Sequence, residues 1–171
     1  MKYLFTLLAL SIALAAQSPA PAPVPSIAHY GHSSTGAVLP DHAVTPGYTN
    51  PAVTQSTIKS TICKHGWTGT VRPPVSYTNK VKTEVMAAYH SPGTDKDYEL
   101  DHYLPLEIGG NPTDVRNLWP QPYPQAKEKD KIENYLKKQV CTGQMTLLEA
   151  QAALPNWYTM YTKVTGKKFQ K

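Results

Sequence analysis

Four stretches of the chain carry a readable pattern of apolar and polar positions. Val81, Val85, Met86 and Tyr89 recur at i, i+4, i+5 and i+8, and Ser91-Pro92-Gly93 stops the run, which predicts a helix from Thr78. Tyr98, Leu100, Tyr103, Leu104, Leu106 and Ile108 read as a strand interrupted by Glu99, Asp101 and His102. Pro124 suits a first helical turn, and Ile132, Tyr135, Leu136 and Val140 form one stripe, which predicts a helix over 125–140. Thr146-Leu147-Leu148-Glu149 has the form of a capping box and opens a short helix to about Leu154, ahead of Pro155. Upstream, residues 51–76 mix β-branched residues with turn formers and suggest short irregular strands or a short helix at 54–60. The middle of the chain therefore runs strand, Gly-Gly loop, short strand, helix. The fold class expected is α+β, a small and mainly helical domain.

The N-terminus has a different pattern. Met1-Lys2 is followed by YLFTLLALSIALAA, an apolar run that ends in small side chains and is short for a membrane span. It reads as a secretory signal peptide over 1–16, which predicts a secreted or periplasmic protein with no membrane attachment after cleavage. SPAPAPVPS at 18–26 favours extended polyproline, and 17–49 reads as a Pro-rich linker and flexible segment in which His29, His32 and His42 are solvated. The domain proper is expected over 50–171.

Composition adds little to the fold but narrows the partners. With 40% hydrophobic and 17% charged residues the chain can bury a core and is not disordered by composition. The formal charge is +5, and loss of Lys2 with the leader leaves 16 − 12 = +4, a balance that favours nucleic acid or an anionic surface. Export gives the two cysteines a meaning. Cys63 and Cys141 can join in an oxidising compartment, closing a loop worth about 4 kcal/mol, or remain two buried thiols.

The candidate chemistry lies at Asp101-His102. Burying either side chain without a partner costs several kcal/mol, so a salt bridge, a metal ion or a catalytic task must satisfy them. Asn117 follows fifteen residues after His102, and Gly109-Gly110 between them can fold the chain back. Oxygens from Asp101 and Asn117 are hard ligands suited to a divalent cation. His102 beside them could deprotonate a water as general base, its tautomer fixed by a backbone carbonyl on the loop.

The stretch Asp101-His102-x-x-Pro105-Leu106-x-x-Gly109-Gly110, with Asn117-Leu118 after it, resembles the core of HNH endonucleases, the ββα-metal or His-Me finger fold. The likeness covers 98–137, and more loosely 50–160 is similar to small exported bacterial proteins carrying this core. The resemblance implies a metal-dependent endonuclease that hydrolyses phosphodiester bonds of DNA, with RNA the other candidate, leaving 5′-phosphate ends; basic residues that hold a backbone without reading bases predict weak sequence selectivity. In it Asp101 holds the metal, His102 activates water, and Asn117 orients the histidine or binds the metal.

The family usually has a histidine about nine residues after the Asn, where this chain has Ala126. Four residues on, Asp130 supplies a carboxylate if the apolar stripe packs away from the hairpin; Glu128 supplies it if the stripe faces the hairpin. A carboxylate favours Mg²⁺ or Mn²⁺, with Zn²⁺ the other option. Arg116 and Lys127 are placed to hold a phosphate backbone, with Arg72 and Lys64-His65 in the upstream loops and Lys129 and Lys131 further along the helix. Trp119 and Trp157 read as core. Cys63–Cys141 would replace the zinc knuckle of many family members as the local staple. Ala126 motivates a second reading, an HNH scaffold weak or inactive in catalysis that binds nucleic acid or another polyanion. In a third, Asp101-His102 is a buried ion pair in a structural protein.

Overall fold

The computed structural model describes residues 22–169. Its elements are β1 (Gly31–His32), β2 (Val38–Leu39), α1 (Trp67–Val71), α2 (Val75–Ala88), β3 (Tyr98–His102), β4 (Leu118–Pro122), α3 (Tyr123–Cys141), α4 (Leu147–Ala153) and α5 (Trp157–Thr165). The fold is α+β: helices around two small antiparallel sheets, β1–β2 and β3–β4. The leader expected at 1–16 lies outside the described residues. Among the described residues no helix is long and apolar enough to cross a membrane.

The hairpin β3–β4 pairs Tyr98 with Pro122, Leu100 with Pro120, Asp101 with Trp119 and His102 with Leu118. Side chains alternate across a strand, so neighbours in β3 face different helices. Leu100 joins Val81 and Val85 of α2, Val115 and Leu118 in one cluster. Asp101 points the other way, to α3. Pro120 and Pro122 are tolerated because a two-stranded sheet leaves each strand with a free edge.

The strand stops at His102 and does not run on to Ile108 as the apolar pattern suggested. Leu106–Ile108 instead coil into a short 3-10 turn between Pro105 and Gly109, whose φ of 83° favours glycine. The Gly110 N–H closes the turn on the Pro105 carbonyl at 2.9 Å. Leu106 and Ile108 are buried there, which explains their apolar character without a strand.

Helix α3 carries its stripe into the main core, where Ile132, Leu136 and Val140 meet Ile58, Ile62, Ile108, Leu154 and Trp157. Each such side chain contributes about 1.5–3 kcal/mol of burial. The capping box of α4 is present: Thr146 Oγ1 accepts from the Glu149 N–H, and Glu149 Oε2 accepts from the Thr146 N–H. Helix α5 was not visible from the apolar pattern; it buries only Trp157 and Tyr161, one turn apart. Trp119 is core as expected, in a cluster with Ala28, Tyr89 and Tyr103.

Two findings concern how the chain is tied. Cys63 and Cys141 form a disulfide that joins the turns before α1 to the end of α3. Residues 28–49, read from sequence as flexible, are packed: Ala28, Ala37 and Thr45 are buried. Backbone N–H groups of Ala28 and Asn50 donate to Ala88 and Gly109, and Gly47 donates to Arg116. Small residues and turns leave no periodicity, yet they fill gaps and satisfy loop carbonyls, so the domain begins well before residue 50.

Gly110 is the tightest point of the hairpin loop, because a Cβ there would sit 1.7 Å from the Leu104 carbonyl oxygen. Gly110→Ala is therefore expected to prevent native folding or to cost several kcal/mol. Gly143→Ala, with nothing within 4 Å and only its φ of 74° against it, should cost about 1–2 kcal/mol. Urea denaturation of the two variants checks the contrast.

Candidate active site around His102

His102 ends β3 and is partly buried. Its Nε2 lies 3.1 Å from the carbonyl oxygen of Pro112. A carbonyl can only accept, so Nε2 carries the ring proton and Nδ1 keeps its lone pair. Burial holds the imidazole below the usual histidine pKa, against the opposing pull of the Asp101 charge. The ring is thus neutral at neutral pH, with Nδ1 free of hydrogen-bond partners among the described residues.

The loop that presents Pro112 is held by Asn117. Its Oδ1 accepts from the N–H groups of Leu104, at 2.8 Å, and Tyr48, at 3.3 Å. Its Nδ2 donates to the carbonyls of Leu104 and Asn111, both at 2.9 Å. That exhausts the amide's two donors and two acceptor sites in a fully buried position. Asn111 in turn accepts from Thr113 and Asp114 through its Oδ1, which fixes the turn around Pro112. Asn117 is therefore a positioning residue. Of the two roles expected for Asn117, orienting the histidine or binding a metal, these hydrogen bonds leave no free polar atom for the second.

Asp101 has a different partner from the one the sequence suggested. Lys129 of α3 donates to Asp101 Oδ2 at 2.7 Å, to the His102 carbonyl oxygen at 2.9 Å, and to Glu133 Oε1. All three ammonium protons are used, and the Lys129 side chain is 2% exposed. Burial alone would lower the lysine pKa, but Asp101 and Glu133 outweigh it and hold it above its ordinary value. Burial raises the Glu133 carboxyl, and the Lys129 ammonium beside it pulls the other way.

The other residues singled out from sequence divide sharply. Asp130 is exposed beside Lys129; partial desolvation and the charge of Asp101 raise its carboxyl. Glu128 faces away from the hairpin, accepting from Lys131 and Tyr161. Arg116 is stacked 3.5 Å over the Tyr48 ring and paired with Asp114 at 2.6 Å, so it serves the loop. Lys127 is exposed, with its ammonium 5.4 Å from the centre of the Tyr123 ring. Arg72 is exposed, and its charge, after that of Lys129, reaches Glu99, His102 and Asp130.

The expected divalent set of Asp101, Asn117 and Asp130 is thus not assembled: one is held by an ammonium, one is saturated and one is at the surface. Among the described residues no group of three or more His, Cys, Asp or Glu side chains is placed to share a metal ion. These residues do not fit the divalent site suggested by the sequence.

Two clefts of about 610 and 620 Å³ lie elsewhere, beside the start of α3 and beside the disulfide, and neither is lined by His102 or Asp101. Against family models, curated proteins and solved structures, the chain shows no match.

From sequence Lys129 read as one of the basic residues around a phosphate backbone and Glu133 was not singled out; the structure buries both. The signal was present: positions 129, 133, 136 and 140 share a helical face, so two opposite charges sit on the stripe of Leu136 and Val140. Charged residues in such a stripe must be paired.

Two outcomes follow. Asn117→Ala leaves the Leu104 and Asn111 backbone groups unsatisfied, and is expected to cost about 3 kcal/mol or more in urea unfolding. Because native His102 resists protonation, the unfolded chain binds the extra proton below the ordinary value of 6.5. Stability therefore falls as pH drops through that range, and His102→Gln should flatten the loss measured between about pH 7 and about pH 5.

Proposed function

We propose that the chain is a phosphodiester hydrolase acting on nucleic acid, with His102 as general base. The observation that carries the reading is the 3.1 Å contact between His102 Nε2 and the Pro112 carbonyl, which leaves a neutral imidazole with Nδ1 as a proton acceptor. In this reaction Nδ1 takes a proton from water, the water oxygen bonds to phosphorus, and the bond to the 3′ oxygen breaks. The departing oxygen is protonated from solvent or from the imidazolium. Arg72, exposed and electrostatically coupled to His102, is the guanidinium suited to hold the phosphate.

Three features support this reading over other hydrolases. Asp101-His102, Gly109-Gly110 and Asn117 stand at HNH-like spacings, and the chain folds as a hairpin followed directly by a helix. His102 ends a hairpin strand and is only partly buried, a setting that a polymer reaches from the surface. The basic balance of the chain favours a polyanion. One observation favours the second reading, a binding module without turnover: Lys129 occupies Asp101, the residue a family metal would need.

Incubation of the purified protein with supercoiled plasmid, and separately with RNA, in Mn²⁺ and in EDTA tests both readings. Cleavage is expected, with His102→Ala losing about 100-fold or more and Arg72→Ala weakening substrate affinity chiefly. Salt-sensitive binding with no turnover in any condition would leave the binding module.

A further inference from the structure

We propose that Lys129 is the resident counter-ion of this site and holds divalent cations off Asp101. The geometry carries the inference. Lys129 stands on the face of α3 that meets β3, one turn beyond Ala126, and donates to Asp101 Oδ2 at 2.7 Å. Its other two protons go to the His102 carbonyl and to Glu133, so the ammonium is pinned on three sides. Both carboxylates are nearly closed to solvent, with side chains 11% and 8% exposed.

A divalent ion could reach Asp101 in two ways. It could displace the ammonium, which strands a buried charge. Or it could bind the remaining oxygen, Oδ1, where it would stand a few ångströms from Nζ. Like charges at that range repel strongly in a site screened little by water. Glu99, Glu107 and Asp130 add negative charge around the site, and Arg72 opposes it.

The positive charge beside His102 is therefore carried by the chain. Removing it would uncover Asp101 and Glu133 together, two carboxylates facing one space, which is a hard-oxygen pair suited to Mn²⁺. The inference does not depend on turnover, and it stands or falls on metal affinity whether or not nucleic acid is cleaved.

The test is Mn²⁺ binding to the disulfide-intact protein by titration calorimetry, comparing wild type with Lys129→Met and Lys129→Arg. Lys129→Met is expected to bind Mn²⁺ at least about tenfold tighter than wild type, an ordinary size for coupling between competing ligands. Lys129→Arg, which keeps the charge, should match wild type. A wild-type affinity equal to that of Lys129→Met, or an arginine variant as tight as the methionine one, overturns the proposal. Because Lys129→Met leaves two carboxylates unpaired and strains the fold, wild type supplies a second measurement. In its NMR spectrum, Mn²⁺ up to about 1 mM, the weak end of protein cation sites, should leave the Asp101 and Lys129 signals sharp. Broadening of those signals well below that concentration overturns the proposal without any variant.

Discussion

A buried ammonium between β3 and α3 is the constraint on which the site depends. Lys129 bridges Asp101, the His102 carbonyl and Glu133 in space closed to water. Removing one member of such a set strands a buried charge, at a cost of about 3–5 kcal/mol. The helix must therefore meet the hairpin in a single register, the one that brings position 129 under position 101. The two-residue alternation of the strand does the rest: with Asp101 fixed toward α3, Leu100 is fixed toward α2. His102, one residue on, is held at the end of the strand by a bond to its own carbonyl.

The other half of the site is built from backbone. The long connection from β3 to β4 contains two 3-10 turns and no regular ladder, so its polar groups need other partners. Asn117 supplies four of those partnerships from one side chain. Gly110 lets the Leu104 carbonyl approach where any side chain would collide. The result is a rigid loop that points the Pro112 carbonyl at His102, and that contact sets the tautomer. Positioning of the loop is done by a saturated amide and a glycine, and the imidazole keeps Nδ1 without a partner among the described residues.

Legibility differed by the range of the interaction. The helices at 78–90 and 125–140 and the capping box at Thr146 were readable because each depends on spacing along a few turns, and the burial of Trp119 and Trp157 because large aromatic side chains favour the core. The structure extends the two helices to Val75–Ala88 and Tyr123–Cys141. The disulfide was one of two options from sequence, and the fold brings the cysteine Cα atoms to 5.5 Å. The strand was drawn too long since Leu106 and Ile108 are apolar for the core and not for a sheet. Helix α5 and the packed segment 28–49 escaped notice because few of their residues are buried, and these show no sustained period.

Sequence by itself determined the candidate base, the hairpin that carries it and the helix behind it, since local pattern and spacing decide those. It also placed two opposite charges on the apolar stripe of α3. Which cation meets Asp101 was a different kind of question. A carboxylate in a buried strand takes whichever positive charge the packing brings within reach, and only the crossing of α3 over β3 decided that Lys129 is the one. The same closure turned Asn117 from a possible ligand into a clamp, because a buried amide spends its hydrogen bonds on the backbone that surrounds it.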